Sequence, residues 1–183
     1  LVAARSRRPP YGGSTVSTPA ELALVLESFD RNARVNRALL ATLTLEDLNH
    51  EDGVGGFSIG QHLADIVSFR PDWLSRVSPR HAERVPNVID ESSPTWLGIE
   101  SIDQLQAAFE AGDAALRDAV VDAVNEGRSF EGVYESHPAH LLQHCIVHDS
   151  HHRGQVLALL RQAGRPEAER MELEEQTWPI WRE

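Results

Sequence analysis

Apolar residues along this chain recur at intervals of three and four, and nowhere do they alternate as they would along a half-buried strand, so the pattern is helical. Leu22, Leu26, Phe29, Ala33, Leu40 and Leu43 form the first stripe, on a helix with Thr18 as N-cap and Pro19 in its first turn, running to about Leu43. Asn36 interrupts that stripe. A buried amide has to find hydrogen bonds, so Asn36 either faces a polar cavity or sits at the rim. The run FSIGQHLADIVSFRPDWLSRV opens with Ser58 and Gln61 at capping-box spacing and predicts a second helix from Ser58 to about Val77, with Pro71 a point of kinking or division. Ser101 and Gln104 repeat the spacing ahead of Leu105, Phe109, Gly112, Leu116, Val120 and Val124, a third helix ending near Gly127. The fourth runs from His137 to Gly164, with Pro138 suited to a first turn and Gly164 with Pro166 to a stop. Four long amphipathic helices, with no internal repeat and no glycine-rich phosphate loop, predict an all-α four-helix bundle.

The connections differ in character. Residues 1–17 contain Arg7, Arg8, Pro9, Pro10, Gly12 and Gly13 without periodicity and read as a loosely held arm, leaving residues 18–183 as a single domain. Ser78 to Glu100, with Pro79, Pro86, Pro94 and Trp96, is long for a compact domain and suits a lid or the wall of a pocket. After Gly164 the tail is acidic and ends in Trp178, Pro179 and Trp181, tryptophans suited to docking the terminus onto the bundle or onto a second subunit. A homodimer is compatible with this tail, although nothing in the chain demands one.

Composition narrows the function classes. A chain of 183 residues, 41% hydrophobic and 25% charged, is long enough to bury a core. The net charge of -11 argues against nucleic acid as a partner, because phosphate binding needs clustered positive charge. The single cysteine, Cys145, excludes an internal disulfide and a cysteine-based zinc site, which fits a reducing cytoplasm, and its helical position favours core packing. No apolar run is long enough to cross a bilayer, and the arginines near the start lack the apolar segment of a secretory signal. The chain opens on Leu1 instead of a methionine, so a trimmed start is expected.

Histidine carries the chemistry. Six of the nine histidines, His137, His140, His144, His148, His151 and His152, lie on the fourth helix at spacings that form one imidazole stripe. Histidine is the commonest metal ligand, and an i, i+4 pair such as His148 and His152 can bring two ring nitrogens to one ion. Ordinary helix-surface histidines are the bland alternative, but several imidazoles on a mostly apolar face need partners that a metal site would supply. Metal sites in bundles draw ligands from facing helices, and the second helix offers His62 and Asp65 on one face. Taken alone, Asp65 reads as a solvated surface carboxylate.

These residues resemble the DinB/YfiT-like family of metal-dependent bundle proteins. The likeness covers residues 18–166 and is carried by HDSHHRGQ with the following LLRQAGRP, the GGFSIGQ start of the second helix, Asn36 with Arg37, Leu39 and Leu40, and Trp73 with Leu74. It implies a bundle with an unusual helix order and a divalent-metal site of three histidines, one from the second helix and an HxxxH pair that maps onto His148 and His152. The first histidine of that pattern falls on Asp65, while His62 sits one turn earlier. Three outcomes stay open: Asp65 ligates, His62 reaches the ion after a small helix shift, or the site is degenerate and empty. His144, Asn36 and Gln155 are the further candidates for contacting a bound group, whereas His151 and Arg153 are assigned to the helix surface. Zinc or nickel heads the choice of metal, with iron or manganese also compatible.

The resemblance implies an enzyme, either a metal-dependent hydrolase or a transferase acting on a small-molecule substrate with a low-molecular-weight thiol. The alternative is a non-catalytic stress-response or metal-binding bundle whose site is structural or degenerate. A di-iron ferritin-like bundle is disfavoured, since paired Glu-x-x-His motifs are missing from the helix interiors. An anionic substrate would need local positive charge such as Arg153 or Arg70.

Overall fold

A computed structural model describes residues 19–183; the expected arm at 1–17 and the Thr18 cap lie outside the described residues. Six helices follow in order: α1 Pro19–Leu40, α2 Ile59–Val77, the short α3 Pro79–Ala82, α4 Ile102–Asn125, α5 His140–Gln162 and α6 Glu167–Thr177. Single 3₁₀ turns stand at Asp47–Asn49 and Trp178–Trp181. Among the described residues β-structure is limited to an isolated antiparallel bridge between Ile89 and Leu97. No described helix is long and apolar enough to cross a membrane.

The helix ends follow local chemistry. At the start of α2 the Ser58 side chain accepts from the Gln61 backbone N–H at 3.2 Å and the Gln61 side chain accepts from the Ser58 N–H at 2.9 Å, a complete capping box. At the start of α4 Ser101 accepts from the Gln104 N–H, but the Gln104 side chain reaches the Glu100 N–H instead, at 2.7 Å. Helix α1 stops at Leu40, short of Leu43, because Thr42 and Leu43 close tighter turns onto Leu39 and Leu40 and Thr44 then bonds Asp47 through its N–H and hydroxyl. Helix α5 begins at His140, not His137, after a run of i to i+3 turns through Pro138 and Ala139. It ends on Gly164 at φ +84°, with Arg165 N–H bonding the Leu160 carbonyl and Gly164 N–H that of Arg161, a Schellman motif. Pro71 sits inside a continuous α2.

The four long helices α1, α2, α4 and α5 form the bundle. Helix α2 packs on both α4 and α5, and so does α1, which leaves α1 and α2 on opposite corners although they are consecutive in the chain. The 41–58 connection therefore crosses one end of the bundle, burying Leu48 against α2. Apolar side chains fill two clusters, one around Leu40, Leu63, Leu105 and Leu160 and the other around Phe29, Phe69, Leu116 and Leu141. Asn32, Asn36, Arg70 and Asp149, all buried, fall between the two.

The 83–101 connection lies against the start of α2. Gly60 makes this approach feasible: an ideal Cβ there would stand 2.5 Å from Thr95 Cβ, and Gln61 Nε2 donates to the Pro94 carbonyl at 3.2 Å. Trp96 adopts φ 59°, a region unfavourable for a bulky side chain, and is held by bonds to Ser93 and Asp90 and by edge-on packing against Phe57 at 4.8 Å. The tail folds back onto α1. Its anchors are the buried Leu173 and Ile180 and not the expected tryptophans, since Trp178 remains 58% exposed. Arg31 donates to the carbonyls of Ile180 and Glu183, and Arg34 pairs with the Glu183 side chain at 2.6 Å, so these polar contacts hold the terminus while both indoles keep substantial exposure.

Candidate metal centre

Helices α2 and α5 pack along their lengths, and their facing surfaces bring Asp65 to His148 and His152. One donor atom from each lies within 4.8 Å of the other two. His152 Nε2 is 3.3 Å from Asp65 Oδ2 and His148 Nε2 is 3.9 Å from Asp65 Oδ1. Ligand atoms at ordinary zinc distances sit about 3.3 Å apart around a tetrahedral ion, so these separations are those of a site needing only small side-chain adjustments. Asp65 is thus no isolated surface carboxylate, although its side chain keeps 41% exposure.

His62 belongs to the same cluster in a different position. Its Nδ1 stands 3.0 Å from Nδ1 of His152, the ring nitrogen turned away from Asp65. One proton serves that contact. If His152 offers the Nε2 lone pair, its proton must lie on Nδ1 and point at His62, whose Nδ1 then accepts it. Burial holds His152 neutral by pulling its pKa down to about 4, against the opposing pull of Asp65, and burial lowers His62 as well.

Asp149 stands behind His148. His148 Nδ1 is buried with no hydrogen-bond partner among the described residues, and Asp149 Oδ1 lies 3.9 Å from it. A divalent ion on Nε2 would fix the proton on Nδ1 and direct it at that carboxylate. Two imidazoles, one carboxylate and a buried Nδ1 with no hydrogen-bond partner among the described residues therefore fit a divalent metal.

Asp149 is itself the hub of a buried polar layer that pattern reading missed. Arg70 donates to Asp149 through Nη1 and Nη2, both at 2.8 Å, and through Nε and Nη2 to Asp113 Oδ1 at 3.0 and 2.8 Å. Asn32 and Asn36 donate to Asp149 Oδ2 at 2.7 and 2.8 Å and accept from Arg153 Nη1 at 2.7 and 2.6 Å. The Arg70 guanidinium also lies 5.1 Å over the Phe109 ring. Beside these bonds Asp149 is held far below the usual carboxylate range despite its burial, chiefly through Arg70. One signal was available in the chain: Arg70, Asp113 and Asp149 each occupy a position on the apolar stripe of their helix.

The remaining candidates separate. Asn36 is buried in the polar layer and not at a rim. Arg153, assigned to the surface by pattern, turns inward onto Asn32 and Asn36 because α1 offers two amide oxygens there. His144 lies at the outer end of the imidazole row, bonded through Nδ1 to the Tyr134 hydroxyl at 2.7 Å and set edge-on to Phe69. Gln155 is exposed on α5, as are His140 and His151. Cys145 is buried in the core.

A cleft of about 810 Å³ opens beside the triad. Asp65, Ser68 and Asp72 of α2 form one wall, and Val85, Ile89, Glu91 and Trp96 of the long connection form the other, the role expected for that connection. Neither Arg70 nor Arg153 lines it. Comparison with curated proteins and with solved structures gives no match. A family model described as the DinB family matches residues 16–183, nearly the full length, and the chain accordingly belongs to the DinB family.

Proposed function

We propose that Asp65, His148 and His152 hold one divalent metal ion, zinc or nickel before iron or manganese, and that the protein is a metal-dependent hydrolase or a low-molecular-weight-thiol-dependent transferase. One observation carries this reading: Asp65 belongs both to the triad and to the wall of the 810 Å³ cleft, so a bound substrate would lie against the metal ligands. Three protein ligands would leave coordination positions open, and an ion held there would supply Lewis acidity that lowers the pKa of a water toward about 7 or keeps a thiol as its thiolate.

The chain's own residues do the rest. Both imidazoles present Nε2 toward Asp65, and with an ion on those nitrogens His62 Nδ1 would accept the Nδ1 proton of His152 and Asp149 would face that of His148. Trp96 and Ile89 give one side of the cleft an apolar wall. Asp72 and Glu91 line it without an arginine, which favours a neutral or cationic substrate group over a strongly anionic one.

Elemental analysis after loading with zinc or nickel tests the ligand set. The wild type should hold about one equivalent, and Asp65→Ala, His148→Ala and His152→Ala should each lose it. His62→Ala should keep the metal with affinity reduced about 10- to 100-fold, as expected for a residue that orients a ligand. Full occupancy in the His148→Ala/His152→Ala double variant would overturn the assignment. A wild type that takes up no metal would leave the histidine cluster with a structural role.

A further inference from the structure

The face of α5 turned away from the triad carries a second feature. At about 100° per residue, Arg153, Gly154 and Leu157 lie roughly opposite His148 and His152. There α5, α1 and the C-terminal segment enclose a groove of about 460 Å³, within the volume range of small-molecule sites. Its walls are chiefly apolar, with Leu39, Leu157, Leu173, Trp178 and Trp181 prominent.

Arg153 also lines this groove. Its Nη1 is spent on the amide oxygens of Asn32 and Asn36, which are neutral. The nearby carboxylates are already engaged, Asp149 by Arg70, Asn32 and Asn36, and Asp113 by Arg70. Arg153 consequently has no carboxylate at ion-pair distance among the described residues, although most arginines of the bundle do. Arg161 and Arg170, which line a shallower recess continuing between α5 and α6, likewise lack an ion-pair partner among the described residues, and Arg170 Nε is buried without a hydrogen bond. Glu174 lies at the rim and pairs with none of the three. In a chain of net charge -11, an arginine without a carboxylate partner among the described residues on the wall of an apolar groove, with two more in the adjoining recess, marks the groove as suited to an anion with an apolar body.

We propose that this groove binds an amphipathic monocarboxylate, with its carboxylate on Arg153 and its apolar chain between Leu157, Leu173 and the two tryptophans. The site is separate from the triad and does not depend on metal.

Calorimetric titration of the full chain with decanoate, decan-1-ol and decyltrimethylammonium tests it. Decanoate should bind at one equivalent, decanol roughly tenfold more weakly or worse, and the cation not at all. Arg153→Gln should weaken decanoate at least about tenfold and leave decanol unchanged. Gly154→Leu provides an arm independent of the polar layer: an ideal Cβ at Gly154 meets nothing within 4 Å, so the new side chain enters the groove without disturbing the fold and should abolish decanoate binding. Equal affinity for decanoate and decanol, decanoate binding that survives in Gly154→Leu, or no binding by about 1 mM would each overturn the proposal. So would a stable dimer in which Trp178 and Trp181 are shielded, since a second copy would then be the occupant.

Discussion

At the scale of single residues, the decisive feature is how completely Arg70 and Asp149 satisfy each other inside the bundle. Both side chains have no exposure, and every oxygen of Asp149 is bonded. Removing one member strands a buried charge, which typically costs 3–5 kcal/mol. Arg70→Met should therefore destabilise the protein by about 3–5 kcal/mol in urea unfolding. A loss below about 1 kcal/mol would show that water reaches Asp149 and that the layer is not sealed. These residues also explain a limit of pattern reading. Asn36 was visible as a break in an apolar stripe, but its partners stand more than a hundred positions away, on α5, and nothing local names them. His62 and Asp65 illustrate the same limit: one turn apart on one face, they are equivalent in the sequence, and only the packing of α2 on α5 puts Asp65 against Nε2 of His152 and His62 against Nδ1.

At the scale of elements, two helix glycines separate propensity from packing. Gly154 of α5 has open space where a Cβ would be, whereas a Cβ on Gly112 of α4 would stand 2.9 Å from Arg70 Cγ and 3.0 Å from its Cβ. Alanine gains up to about 1 kcal/mol over glycine in a helix interior. Gly154→Ala should accordingly raise stability by about 0.5–1 kcal/mol. Gly112→Ala should lower it by about 1–3 kcal/mol, because the added methyl presses on the stem of a side chain locked to Asp113 and Asp149. Thermal unfolding of both variants reads the two signs, and a stabilised Gly112→Ala would mean that Arg70 is free to move. Gly112 was read from the chain as one more member of an apolar stripe. Its reason for being small is a guanidinium from α2, contributed by a segment about forty residues earlier.

For the molecule as a whole, histidines that lose part of their solvation on folding set the acid limit of stability. Burial lowers the pKa of His62, His81, His137, His144 and His152. A lowered folded-state value means that the unfolded chain takes up protons the folded chain refuses, so stability falls as pH drops below about 6.5. For His152, lowered to about 4, the loss between pH 7 and 5 comes to about 2 kcal/mol, or roughly 5 °C in melting temperature. Asp149, depressed from the carboxylate range, adds a loss of the same sign at still lower pH. Melting curves of metal-free protein at the two pH values measure the effect, and an unchanged midpoint would mean that these imidazoles are as solvated folded as unfolded.

The sequence by itself determined the four long helices and the kind of chemistry, whereas the short α3 and the tail helix α6 were not legible in it. Helical periodicity, the Ser58 and Ser101 caps and the Gly164 stop are local, decided within a few residues by hydrogen bonds and sterics, and the histidine spacing on α5 follows from the helix repeat alone. Tertiary structure decided what faces what. It set α1 and α2 on opposite corners, chose Asp65 over His62 for the position beside the HxxxH pair, turned Arg153 inward and left Trp178 outside. Each of these depends on the energy of burying one helix face against another, which is shared among residues distant in the chain and has no local signature.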